Sequence, residues 1–169
     1  MKILNRTIKF RGKMIPENEW IFGTILRIPA PPVCFEKSET DKYYIQFPDP
    51  RYMPDWNMPY KMVQGEVNPD TIGQYTGLHD KNGKEIYEGD IVTSTDYPFI
   101  DEGKQNYIGI VEYYEDIAQF GFTLKCVNKN KRGISNGFNE GFEANNDLIC
   151  EDLEIIGNIY DNPELLKED

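Results

Sequence analysis

Apolar residues fall in short alternating or continuous runs along this chain, and Gly, Pro, Asn or Asp ends most of the runs. This pattern is typical of β-strands joined by turns, and no stretch of ten residues has a convincing helical period. In the first half it predicts an N-terminal hairpin, whose second strand ends at a proline-rich stretch, and then two more strands. These strands are predicted at residues 7–11, 19–26, 43–47 and 62–67.

The middle of the chain holds its strongest turn signals. Asn82-Gly83 favours the positive φ angles that join twisted antiparallel strands, so residues 74–76 and 85–87 should flank a hairpin turn. Residues 88–90, Glu-Gly-Asp, predict a second turn before a strand that starts at residue 91. The glycines of residues 71–92 are therefore interpreted as meeting backbone requirements and not as forming a ligand site.

The C-terminal part continues the β pattern. Asn162 stands where a helix N-cap would and Pro163 at the first helical position, so a short helical turn is predicted at the C-terminus. The elements predicted before it are two long strands, a polar loop and a closing strand, at residues 107–114, 120–125, 125–141 and 153–160.

Prolines and aromatic residues are interspersed over residues 48–60. Two interpretations are open: an arm that docks on a partner or on a second copy of the chain, and an ordered loop over the chain's own sheet. Large apolar side chains are penalised in water unless something covers them, which favours the loop. The residues that an arm would present are Tyr52, Trp56 and Tyr60.

The charge balance narrows the choice of partners. With 18 basic and 29 acidic residues the formal net charge is −11, which disfavours nucleic acid and anionic membrane surfaces as partners. Residues 125–132 hold four basic residues near aromatic side chains and could contact a phosphate backbone, but the net charge favours a solvated loop. A strongly acidic protein can also act as a decoy that mimics nucleic acid, and this alternative stays open.

Cysteine usage and the N-terminal residues bear on the compartment. The three cysteines are an odd number without CxxC spacing, which fits neither a disulfide framework nor a zinc knuckle. The N-terminus lacks the apolar core of a signal peptide, and no apolar run approaches membrane-spanning length. We therefore expect a cytoplasmic protein without a membrane partner.

Candidate chemistry centres on His79, the chain's only histidine. A calcium loop aligned on Gly83 would place Leu78 and Gly89 at the first and last ligand positions, where oxygen ligands are required. The three serines lie in no nucleophile-elbow context, and the cysteines are scattered. The sequence thus predicts no metal, no cofactor and no catalytic residue. The remaining enzymatic alternative is a small hydrolase that uses His79 and nearby carboxylates.

Four blocks of the sequence, at residues 8–13, 19–23, 71–92 and 155–166, resemble the YopX proteins, small proteins of phages and prophages in bacteria. The resemblance implies a β-rich fold with an SH3-like barrel. It implies no activity, because the family is of unknown function. Gly89-Asp90-x-Val92 followed by Gly109-x-Val111 also looks like the opening strands of an SH3-type barrel.

These observations predict a mostly β protein with a β portion over residues 1–70, an SH3-like barrel over residues 71–169 and a shared core. The expected function is a non-catalytic phage or prophage accessory protein that binds a protein partner or itself. Small barrels often bind through aromatic surface between their loops. The binding residues expected on this basis are Tyr75, Tyr87, Tyr97, Tyr113 and Tyr114.

Overall fold

The computed structural model describes residues 7–30, 40–51, 61–94, 107–115, 118–126, 138–141 and 153–166. Strands dominate these ranges, and the only helical elements within them are two 3₁₀ turns. The prediction of a mostly β protein is confirmed. The chain divides into two compact units, Met1–Gln74 and Tyr75–Asp169.

Four strands of the first unit follow one another as antiparallel neighbours: β1 pairs with β2, β2 with β3 and β3 with β4. Their bounds are Phe10–Lys13 (β1), Trp20–Ile28 (β2), Lys42–Pro48 (β3) and Met62–Val67 (β4). All four strands were predicted from the apolar pattern; the first was predicted at residues 7–11 and lies instead at Phe10–Lys13. A 3₁₀ turn, Pro69–Thr71, follows, and the Asn68 side chain caps it by accepting from the Asp70 N–H.

The core of the first unit lies on one face of this sheet. Ile21, Ile45 and Val67 are buried there, and partly buried apolar residues surround them. The strands approach closely at Gly23, where a Cβ atom would lie 2.0 Å from the carbonyl oxygen of Gln46. Only glycine fits such a contact. The partly buried residues are Phe10, Met14, Tyr43, Phe47 and Ile72.

Strand β5 (Gly73–His79) begins in the first unit, where Gly73 and Gln74 pair with β1. In the second unit it pairs with β6 (Glu85–Tyr87), so the predicted hairpin is confirmed. Its turn differs from the two-residue loop that Asn-Gly favours. Gly83 has a φ of +79°, whereas Asn82 is not among the residues with positive φ, and the loop is a type I turn followed by a glycine bulge.

Five further strands of the second unit form an antiparallel sheet in the order β10-β9-β8-β7-β11. The strands are Asp90–Ser94 (β7), Tyr107–Tyr114 (β8), Gln119–Cys126 (β9), Phe138–Gly141 (β10) and Glu154–Asn158 (β11). β11, the last strand of this sheet in sequence, therefore pairs with β7, the first. The predicted C-terminal helical turn is present as the 3₁₀ turn Pro163–Leu166.

Two features of the second unit differ from expectation. The strands that the structure describes do not close into a barrel, since β10 and β11 are the two ends of the strand order. The polar loop predicted over residues 125–141 is wrong for Phe138–Gly141, which pair with β9. Three of the four residues in Phe-Asn-Glu-Gly are depleted in strands, so the local sequence did not indicate this strand.

The core of the second unit gathers residues from separate elements. Ile86, Val92, Val111 and Leu153 are buried together, with Leu78 and Ile155 packed against them. Burial of this kind is the main favourable term in folding and fixes the hairpin β5–β6 relative to β7, β8 and β11.

Candidate functional site

Asp80 organises the turn between β5 and β6. Its Oδ1 accepts hydrogen bonds from the backbone N–H groups of Asn82 and Lys84, each at 2.9 Å. Its Oδ2 accepts from the N–H of Ile155 at 3.2 Å. The main chain closes the same turn, because the Gly83 N–H donates to the Asp80 carbonyl oxygen at 2.9 Å. The side chain of Asp80 is buried among these donors.

The electrostatics of Asp80 follow from that geometry. Burial by itself would raise the pKa of Asp80, but the hydrogen bonds from the N–H groups of Lys84, Ile155 and Asn82 lower the pKa overall. The charged carboxylate is therefore a fixed acceptor for backbone groups. Its role here is structural.

His79 lies at the end of β5 in a cluster of aromatic and acidic side chains. The hydroxyl of Tyr75 is 3.4 Å from each ring nitrogen of His79, and the two ring centroids are 5.9 Å apart. Glu85 is the register partner of His79, and its Oε2 accepts from the Tyr87 hydroxyl at 2.7 Å. Burial, and secondarily the charge of Glu85, raise the pKa of Tyr75.

The His79 cluster offers little of what hydrolysis requires. The Tyr75 phenol is protonated near neutral pH already at its ordinary pKa, and burial raises that pKa further, so the hydroxyl is a poor nucleophile. Asp80, next to His79 in sequence, gives both carboxylate oxygens to backbone N–H groups. Within the described residues no group of three or more His, Cys, Asp or Glu side chains could hold a metal ion.

The predicted binding tyrosines have different environments. Tyr75 and Tyr87 are register partners with ring centroids 5.5 Å apart, and they are only 6% and 2% exposed. The expectation that these two rings form exposed surface is wrong, because they pack into the second unit. Tyr113 is 43% exposed and packs edge-on against Phe120, whereas Tyr114 is half-buried. The remaining predicted residues, Tyr97, Tyr52, Trp56 and Tyr60, lie outside the described residues.

The outer face of β2 is an apolar surface that the sequence reasoning did not single out. Phe22, Leu26 and Ile28 are 42%, 39% and 50% exposed. They alternate with Ile21 and Ile25, which face the core side, so both faces of this strand carry apolar residues. The signal was present in the sequence, because residues 20–28 carry apolar side chains at both odd and even positions, which is typical of a strand covered on both faces.

Basic side chains from the start of the chain stand over aromatic rings of β2. Lys9 lies 5.7 Å from the ring centroid of Phe22, and Arg11 lies 4.8 Å from that of Trp20. Lys13 is 5.5 Å from the Trp20 ring. Arg11 and Lys13 are buried. Their positive charges are attracted to the Trp20 ring by cation–π interaction and are not exposed to solvent.

Charge is divided unequally between the two units. Residues 1–74 contain 10 basic and 9 acidic residues, a formal charge of +1. Residues 75–169 contain 8 basic and 20 acidic residues, a formal charge of −12. The acidity of the protein is thus a property of the second unit.

Among the residues that the structure describes, no helix has the length and apolar character needed to cross a bilayer.

Comparison with known proteins finds similar solved structures and a matching family. The crystal structure of protein EF1440 from Enterococcus faecalis is similar over 96% of this chain and 100% of that chain, with 23% sequence identity and a TM-score of 0.47. No curated protein matches the sequence. Residues 9–167 match the family described as YopX protein. Because the match spans nearly the whole chain, this protein belongs to the YopX family.

Proposed function

We propose that this YopX protein is a non-catalytic phage or prophage accessory protein that binds another protein through the outer face of β2. The observation that carries the proposal is the row formed by Phe22, Leu26 and Ile28, which stay exposed although the other face of their strand lies in the core. The row is about 20 Å long at the usual rise of a strand.

Burial of this row would supply the driving force for association. Apolar surface removed from water contributes roughly 25 cal/mol per Å². Three large apolar side chains that are about half exposed would therefore contribute substantially to binding if a partner covered them. Most single exposed apolar residues mean nothing, but these three lie on one face of one strand, where a single partner would cover them together with the exposed Thr24 between Phe22 and Leu26. The polar side chains at the margin of the row, Tyr44 and Glu66, are hydrogen-bonded to each other at 3.0 Å.

A non-catalytic role agrees with the His79 cluster. A hydrolase would need His79 and a second carboxylate besides Glu85 to converge on a substrate. The Asp80 carboxylate instead accepts hydrogen bonds from backbone N–H groups. This alternative therefore has the least support of the three considered.

We propose that the five-stranded sheet of the second unit is an SH3-like arrangement. The supporting observation is its topology: β7 to β10 follow one another as antiparallel neighbours, and β11 pairs antiparallel with β7. Tyr113 on β8 is 43% exposed and is the first residue to test as a second contact site.

The experiment is affinity capture from the bacterial host with a tagged full-length protein. The test variant combines Phe22→Thr, Leu26→Thr and Ile28→Thr, since threonine preserves strand propensity while it removes apolar surface. The control is Leu165→Gln, which changes an exposed apolar residue in the 3₁₀ turn Pro163–Leu166. We expect a defined protein partner to be captured by the wild type and the control and lost with the triple variant. Equal capture by all three proteins would contradict the proposal.

Self-association is a separate outcome of the same variants. Light scattering coupled to size-exclusion chromatography measures the mass of the wild type and of the triple variant. A dimer that becomes a monomer only in the triple variant would identify the partner as a second copy of the chain. Thermal unfolding of each variant checks that the fold is retained.

An acidic decoy of a host nucleic-acid-binding protein is the second candidate function. The observation that favours it is the formal charge of −12 on residues 75–169. A decoy would compete with DNA for a basic protein, and the competition would weaken steeply with added salt, whereas binding through an apolar face would not. Repeating the capture at low and high salt therefore separates the two functions.

A further inference from the structure

Asn82-Gly83 is an exposed Asn-Gly pair in the turn between β5 and β6. Asparagine followed by glycine is chemically labile, because glycine has no side chain to hinder attack by its backbone nitrogen on the preceding amide. We propose that Asn82 is a site of spontaneous deamidation that the folded turn holds back, and that Asp80 is the residue responsible for the protection.

The reaction needs only water. The Gly83 backbone nitrogen loses its proton and forms a bond to the Asn82 side-chain carbon Cγ. The bond from Cγ to the amide nitrogen breaks, and that nitrogen leaves with a proton as ammonia, which closes a five-membered succinimide ring. Water then opens the ring at either carbonyl and leaves aspartate or isoaspartate, with no change of oxidation state.

The folded turn opposes the first step. The attacking nitrogen is engaged, since the Gly83 N–H donates to the Asp80 carbonyl oxygen at 2.9 Å. The Asn82 N–H donates to Asp80 Oδ1 at 2.9 Å, and the Lys84 N–H donates to the same atom at the same distance. Ring closure requires rotation of the Asn82 backbone, and these bonds resist that rotation.

The protection extends beyond the turn. Asp80 Oδ2 accepts from the Ile155 N–H of β11, and the Lys81 N–H donates to the Leu153 carbonyl oxygen at 2.8 Å. Opening the turn far enough for attack therefore disturbs its attachment to β11. The rate of deamidation should follow the population of such openings, as it does for other reactions of locally unfolded states.

Deamidation would in turn weaken the attachment. The product places a second carboxylate two positions from Asp80, and like charges at that separation repel. Isoaspartate also adds a methylene to the backbone of a turn that satisfies its hydrogen bonds internally. The modification is thus expected to make the opening of the turn permanent.

The experiment follows conversion at Asn82 by peptide mass spectrometry in full-length protein, native and in urea, at one pH and temperature. Asn136-Gly137, the second Asn-Gly pair of the chain, is the internal reference in urea. We expect similar rates for both pairs in urea and a rate for Asn82 at least about tenfold lower in native protein, as for a group protected by local structure. A native rate equal to the rate in urea would overturn the proposal.

The role of Asp80 is tested with Asp80→Ala, and Asp70→Ala is the control because Asp70 is also acidic but exposed. We expect the native rate at Asn82 to rise severalfold in Asp80→Ala and to stay unchanged in the control. A folded Asp80→Ala protein with the wild-type rate would overturn the assignment to Asp80. Should Asp80→Ala fail to fold, the ratio of native to urea rates in the wild type still decides whether the folded turn protects Asn82.

Discussion

The carboxylate of Asp80 accepts a hydrogen bond from the backbone N–H of Ile155 at 3.2 Å, although 75 positions separate the two residues in sequence. The same carboxylate closes its own turn through Asn82 and Lys84. One acidic side chain thus joins the hairpin β5–β6 to β11. The Asp80 carboxylate also pairs with the Ile155 N–H on the outer edge of β11. Unpaired backbone groups on a strand edge can form hydrogen bonds with other chains.

Replacement of Asp80 by Asn should destabilise the protein. The amide has one oxygen acceptor, so at least one partly buried backbone N–H loses its partner, and the expected loss in free energy of unfolding is about 1–3 kcal/mol. Urea denaturation measures the change. Asp70→Asn is the control, since a substitution at an exposed site should stay within about 0.5 kcal/mol. Equal midpoints for both variants would show that the carboxylate of Asp80 contributes nothing.

The contribution of Asp80 should depend on pH in a defined direction. Burial would raise its pKa, but the backbone hydrogen bonds of the folded state lower the pKa overall. A carboxyl group with a depressed folded pKa stabilises above its unfolded pKa, and the contribution is lost as pH falls through the folded value. The difference in unfolding free energy between wild type and Asp80→Asn should therefore shrink on acidification from neutral pH. A difference that grows in acid would contradict the assignment.

Gly23→Ala should strongly lower the free energy of unfolding, although it adds only one methyl group. The new methyl carbon would lie 2.0 Å from the carbonyl oxygen of Gln46, and backbone atoms of paired strands cannot move aside cheaply. We expect a loss of more than about 3 kcal/mol. Gly77→Ala is the comparison, because no atom lies within 4 Å of its Cβ position, although its φ is +93°. Its cost should be limited to backbone strain of about 1–2 kcal/mol.

Core truncations should be costly in both units. Ile45 in the first unit and Ile86 in the second are completely buried, so replacement of either by Ala should reduce the free energy of unfolding by about 2–5 kcal/mol. Ile8→Ala is the matched control, as Ile8 is 66% exposed. Thermal or urea unfolding measures all three. A large effect of Ile8→Ala would mean that something covers this residue in solution.

Local sequence patterns predicted most strands, and the reason lies in how each signal works. The run at β2 ends where Pro29 begins a proline-rich stretch, because proline cannot donate to a sheet. Gly83 and Gly89 have positive φ, as their turns require. The strand Phe138–Gly141 was missed because three of its four residues, Asn, Glu and Gly, are depleted in strands, and its pairing with β9 is not visible in the local sequence.

The candidate site was less predictable than the fold. Tyrosine is amphipathic, so composition cannot tell a buried Tyr75 or Tyr87 from an exposed Tyr113. Only the register of β5 with β6 decides that the first two rings pack against each other. The apolar row on β2 could have been found, because a strand with apolar residues at both odd and even positions has a second face to cover.

The amino-acid order by itself determined where most strands begin and end, the position of the tight turns and the YopX membership, because each depends on neighbours within a few positions or on residue identity alone. Tertiary structure decided that Asp80 accepts hydrogen bonds from backbone groups, which tyrosines are buried and which face of β2 is exposed to solvent. Those outcomes depend on residues brought together from distant positions, and the geometry of such contacts exists only after the strands have paired.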